Sequence, residues 1–147
     1  MRNEKPDYGF TILDTHASAD FVFEATGRTI PDLFKACALA CFSAMTDLNL
    51  VESKLEQIIE INADELNDLL YGFISELIYI KDVQHVFLSE FEIEISSDSR
   101  NLRATLRGEP IEYDKHLIKT DVKAATYHDL DIARVSDGYK TKMILDL

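Results

Sequence analysis

The chain has 147 residues, 46% of them hydrophobic and 29% charged, which suits one domain around one core and excludes wholesale disorder. With 27 acidic against 15 basic residues its formal charge is −12, and the acids are spread along the chain, so tight direct binding to a nucleic-acid backbone is not expected. The apolar runs at 36–45 and 69–80 are broken by polar residues short of the ~20 needed for a membrane span, and the start MRNEKPDYGF lacks the apolar core of a signal peptide, so the expected location is cytoplasmic.

In chain order, residues 8–13 alternate loosely as a first strand, 14–19 form a polar loop of small residues, and 20–25 form a second strand with Phe21 and Phe23 on one face. Thr29 is an N-cap with Pro31 in the first turn. The apolar positions Ile30, Leu33, Phe34, Cys37, Ala38, Cys41, Phe42 and Met45 then follow the helical repeat, which predicts an amphipathic helix. Cys37 and Cys41 fall on its buried face and read as reduced core residues. A polar turn at 46–49 precedes a strand at 55–61. Asn62 and Glu65 have the spacing of a capping box, and Leu66, Leu69, Leu70, Phe73, Ile74, Leu77 and Ile78 predict a second helix running to about Ile80.

Residues 87–95 alternate cleanly between apolar residues and Glu90, Glu92 and Glu94, and 102–107 alternate between Leu102, Ala104, Leu106 and Arg103, Thr105, Arg107. A hairpin in which Ile95 faces Leu102 sets Glu94 against Arg103 and Glu90 against Arg107, a solvated face and not a catalytic cluster. Residues 108–119 read as turn and linker, and 120–128, 130–135 and 139–145 as three further strands, the last two joined by a tight turn at Ser-Asp-Gly 136–138. The expected fold is α+β: a single domain over residues 1–147, with a mostly antiparallel β-sheet covered by two amphipathic helices.

Three sets of residues carry candidate chemistry. Asp14, His16 and Asp20 together suggest the ligands of a hydrolase, but DxHxxxD is no recognised ligand spacing and an ordinary polar loop explains it. His85, His116 and His128 stand singly, away from the cysteines, and neither a phosphate-binding glycine loop nor a G-x-S-x-G turn occurs, so an enzyme is not expected. Asp146 and the terminal carboxylate of Leu147 make a hard oxygen-donor pair suited, with one more Asp, to Ca²⁺ or a similar ion; a frayed chain end is the alternative. Lys123 sits among small and β-branched residues of the stretch DVKAATYHDL at 121–130, either snorkelling from a half-exposed strand or held beside carboxylates or a partner.

Five segments in order resemble the archease family over nearly the whole chain: Tyr8 through Asp20 to Gly27, PDLFKACALACFSAMTD at 31–47, DELNDLLYGFISELIY at 64–79, VKAATYH at 122–128 and ILDL at 144–147. The resemblance implies an accessory protein of an RtcB-type RNA ligase that promotes the ligase's guanylylation by GTP and its turnover in tRNA splicing or RNA repair. A chaperone-like modulator of a tRNA methyltransferase is the alternative it carries. It further implies a divalent-metal site, calcium by the family's usual assignment, at Asp20, Asp146 and Leu147, and a partner-contacting lysine at Lys123. Where the family has HTAD this chain reads ASAD at 17–20, with its histidine displaced to His16, so the family's histidine role does not carry over. The joint expectation is geometric: Lys123 should lie near Asp20 and Asp146, its charge offset by theirs.

Overall fold

Thr29 starts the central helix as its type and position require. The side-chain oxygen accepts the Asp32 N–H at 3.2 Å, and the helix α1 runs over Ile30–Ser43. The computed structural model describes residues 6–13 and 20–147; the expected loop at 14–19, with Asp14 and His16, lies outside the described residues. Around α1 stand β1 (Tyr8–Leu13), β2 (Asp20–Gly27), β3 (Leu55–Asn62), α2 (Leu66–Gln84), β4 (Val86–Ile95), β5 (Asn101–Pro110), β6 (Ala124–Ala125), β7 (Ala133–Val135) and β8 (Gly138–Asp146).

The α+β class and the antiparallel pairing match the expectation, but the strands divide into two sheets. One has the order β1-β2-β8-β6, with β7 also on β8; the other is β3-β5-β4. Helix α1 lies against β1, β2 and β8 of the first sheet and against β4 of the second. That position explains its composition. Besides the expected apolar stripe, Ala36, Ala40 and Ala44 are buried, so the helix is enclosed on nearly all sides instead of along a single face. Phe34 stacks on Phe73 of α2 with ring centroids 6.0 Å apart, and Phe42 meets Phe91 of β4 at the same separation. Truncating either phenylalanine to alanine in such a core costs about 3–5 kcal/mol.

The β4–β5 hairpin has the expected register, with Ile95 opposite Leu102, Glu94 opposite Arg103 and Glu90 opposite Arg107. Strand β3 joins the other edge of β5, so Arg107 is reached from both sides, by Glu56 at 2.9 Å and by Glu92 at 2.6 Å. Beyond Arg107 the reading changes. Gly108 marks no turn: β5 continues to Pro110, and a Cβ on Gly108 would stand 1.9 Å from the Phe87 carbonyl oxygen, beside a bulge between Leu88 and Glu90. The glycine permits close backbone approach within the sheet.

Helix α2 also departs from its expected ends. No capping box forms, because Asn62 is the last residue of β3, paired with Asn101, and Glu65 is the cap without a side-chain bond. The helix continues past Ile80 to Gln84 and stops where His85 turns left-handed at φ 54°, ψ 53°. Of the three late strands, only β8 has its expected length. One edge of β8 is taken by β2 from Tyr139 to Asp146, and the other is shared, β7 at its start and the two-residue β6 at its end. Two partners on one edge leave each of them short.

Candidate functional site

Strand β2 runs antiparallel to β8 in the register Asp20↔Asp146, Phe21↔Leu145, Phe23↔Met143. Phe23, Met143 and Leu145 are buried, so the alternation of both strands turns the side chains of Asp20 and Asp146 to the opposite, solvent face. Directly opposed residues have Cβ atoms about 4.5–5.5 Å apart. Two carboxylates so placed weaken a ladder by like-charge repulsion, and a cation between them reverses the sign. Leu147 follows on, half-buried, and its main-chain oxygens adjoin the pair. Among the described residues no group of three or more His, Cys, Asp and Glu side chains stands close enough to hold a metal. A hard ion here would draw on the two Asp carboxylates and on main-chain oxygen of Leu147, a donor set whose chemistry fits Ca²⁺.

The third strand of this corner is β6. Ala124 pairs with Asp146, and the Lys123 amide donates to the Asp146 carbonyl at 2.8 Å. The expected neighbourhood of Lys123, Asp146 and Asp20 is therefore present in the backbone. The expected environment of the lysine is not. Lys123 is exposed, Val122 and Ala125 are the buried residues of its segment, and Ala124 faces solvent. Its exposure leaves no desolvation for Asp20 and Asp146 to offset. An exposed cation beside two carboxylates is suited to contact a partner.

The buried lysine of this region is Lys81, which the sequence reading passed over. On the last turns of α2 its side chain is 6% exposed, and its ammonium bonds Asp82 at 2.5 Å, Asp121 at 2.6 Å and the Val122 carbonyl at 3.1 Å. Burial pushes its pKa down, but the hydrogen bonds and charges of Asp121 and Asp82 outweigh this and hold it above the ordinary value. At the far end of the same segment, Tyr127 donates to Asp68 at 2.5 Å, which holds its phenol up at about 12. Its ring lies 5.3 Å from that of Tyr71. Lys123 thus projects from a short span clamped to α2 on both sides. A lysine closing an apolar helix, Ile78-Tyr79-Ile80-Lys81, was the available clue.

A second charged cluster lies at the Pro110 end of β5. The fully buried Glu109 carboxylate accepts from the Glu52 amide at 2.6 Å, from Lys115 at 3.0 Å and from His116 at 3.1 Å, and Lys115 also pairs with Glu52. The Glu112 amide donates to Nδ1 of His116, which leaves Nε2 as the donor towards Glu109. Burial raises the Glu109 pKa, yet these donors bring it down to about 2. The cluster pins the loop after β5, and every polar group in it is engaged. Cys37 and Cys41 are buried and unbridged, with both thiol pKa values pushed up by burial, as core residues should be.

Residues 10–147 match the family model described as the Archease protein family. Similar proteins include the protein archease of Pyrococcus furiosus, 36% identical over 123 residues that cover 82% of this chain and 87% of that protein. The protein archease of Methanothermobacter thermautotrophicus is 36% identical over 141 residues, 95% of this chain and 99% of that one. Among solved structures, the solution structure of Methanobacterium thermoautotrophicum protein 1598 superimposes with a TM-score of 0.77 at 33% identity, covering 96% of this chain and 99% of that one. A Thermotoga maritima crystal structure described as an archease and possible chaperone has a TM-score of 0.64 at 18% identity, covering 100% and 99%, and shares the fold.

Proposed function

The chain belongs to the archease family, and on that premise we propose that it is a cytoplasmic accessory protein that activates an RtcB-type RNA ligase, promoting GTP-dependent guanylylation and turnover in tRNA splicing or RNA repair. In this reading it performs no catalysis of its own. The observation that carries it is the register of β2, β8 and β6, which sets Asp20 beside Asp146 and draws the Lys123 amide onto the Asp146 carbonyl. A bound Ca²⁺ at Asp20, Asp146 and Leu147 would supply positive charge that ties the end of β8 to the start of β2. Lys123, with its exposed ammonium, contacts the ligase. The charge of −12 supports an indirect role, since the protein meets a basic partner surface and not the RNA itself.

The test is a guanylylation assay with purified RtcB-type ligase and GTP, with and without this protein. Stimulation should be lost with Asp20→Ala or Asp146→Ala and weakened with Lys123→Ala. Absence of stimulation by the unmodified chain refutes the function; stimulation that survives both aspartate substitutions refutes the site. A second reading, a chaperone-like modulator of a tRNA methyltransferase, draws on the description of the Thermotoga maritima relative as a possible chaperone. It predicts suppressed aggregation of the methyltransferase with Asp146 dispensable.

A further inference from the structure

A cleft opens where the last turn of α2 meets the loop after β5. Phe87 and Ile111 form its floor, Tyr113 and Ile118 its wall, and Asp82 and Asp121 its rim. Tyr113 is 81% exposed, and Ile118 is also exposed, although both are large apolar side chains. On α2, Tyr79 is exposed one helical step before Asp82, so the apolar surface continues beyond the cleft.

The charges around the cleft are unbalanced. Lys81 uses Oδ1 of both Asp82 and Asp121, and both carboxylates remain exposed. Tyr113 is flanked by the exposed Glu112 and Asp114. Lys115 is already paired with Glu52 and Glu109, and Lys119, held by the Ser43 carbonyl, is outnumbered by Asp82, Asp121, Glu112 and Asp114. An apolar floor, an open tyrosine face and acidic rim oxygens together suit an aliphatic stem with a cationic head.

We infer that this cleft is a docking site for a partner-protein segment carrying an arginine or lysine between apolar residues. The cation lies between the Asp82 and Asp121 carboxylates and the Tyr113 ring, and the apolar neighbours lie on Ile118 and Tyr79. The site adjoins the Asp146 corner through the chain itself, because Lys81 holds Asp121 and the Val122 carbonyl while the next residue, Lys123, bonds Asp146. A partner seated in the cleft is thereby brought to Lys123. That last step rests on the ligase-activator reading; the chemistry of the cleft does not.

The experiment has two arms. In the first, amide chemical shifts of the isotope-labelled protein are followed during titration with a short peptide of alternating leucine and arginine, and with the same peptide carrying glutamate for arginine. The arginine peptide should shift Asp82, Tyr113, Ile118 and Asp121, and the glutamate peptide should not. A Tyr113→Ser/Ile118→Ser variant, altered only at exposed positions and checked for an unchanged melting curve, should bind the arginine peptide about tenfold more weakly. Equal response to both peptides, shifts confined to another surface, or undiminished binding by the variant overturns the inference. In the second arm, the variant should need about tenfold more protein for half-maximal ligase guanylylation and reach the same plateau, whereas Asp146→Ala lowers the plateau. An unchanged half-saturating concentration overturns the ligase as occupant of the cleft. No stimulation by the unmodified chain overturns the activator reading and leaves the peptide result to decide the cleft.

Discussion

Replacing Lys81 by methionine keeps an aliphatic stem in the core and removes the ammonium that holds residues 121 and 122 to α2. Three bonds are lost, to Asp82, to Asp121 and to the Val122 carbonyl. Both carboxylates are half-exposed and can return to water, so each pair is worth about 0.2–1 kcal/mol. The buried carbonyl, left without its donor, costs about 1–3 kcal/mol. Relief of the desolvation of the ammonium offsets part of this, and a net loss of about 2 kcal/mol is expected, read as a lower urea midpoint. The change should also be local: the Lys123 amide, bonded to the Asp146 carbonyl, should exchange with solvent far faster than the amides of β5. The pH dependence has a definite sign. Because the folded pKa of Lys81 is raised, its contribution is complete below the ordinary value of 10.5 and is lost as pH rises through the folded value, so the gap between wild type and variant should close only in strong base. A stability change under about 0.5 kcal/mol with unaltered exchange at Lys123 would refute the clamp, since the orphaned carbonyl alone exceeds that bound.

Glu109, with its pKa lowered from 4.5 to about 2, contributes stability that is complete above pH 4.5 and drains away as pH falls towards 2; Glu109→Gln should therefore be less stable at pH 6 and converge on wild type in acid, as read by urea unfolding at each pH. Gly138→Ala should destabilise by at least about 2 kcal/mol, because Gly138 has φ 149° and a Cβ there would stand 2.2 Å from the Gly27 carbonyl oxygen; thermal unfolding measures it. His85→Gly should raise the melting temperature, since a left-handed non-glycine residue at φ 54° costs about 1–2 kcal/mol, partly repaid by the flexibility that glycine adds to the unfolded chain.

Where a residue's neighbours in sequence are also its neighbours in space, the chain's local pattern predicts its structure. The Thr29 cap, the stripe of α1 and the hairpin register from Glu94–Arg103 to Glu90–Arg107 are set by periods of 3.6 and 2 within one or two elements. Readings that depended on a third element failed. Gly108 carries the chemistry of a turn, but Phe87 approaching from β4 makes it the place where two backbones touch. Asn62 and Glu65 have the capping spacing, but β5 had already claimed Asn62 for β3.

The candidate site divides along the same line. The residue types and their order, the Asp opening β2, the VKA segment and the closing Asp-Leu, are in the chain itself, and it is their resemblance to the archease family that singles out Asp20, Asp146, Leu147 and Lys123. Sequence also determined that α1 is apolar enough to bury. Tertiary structure decided that two sheets enclose it, and that β8 divides one edge between β6 and β7 while β2 holds the other. Only that sharing brings residues 20, 123 and 146 into one corner. It also decided which lysine is buried. Lys81 and Lys123 have similar apolar surroundings along the chain, but burial depends on what crosses over a residue, and it is the segment at 121–122, folded back on α2, that covers Lys81 and leaves Lys123 in solvent.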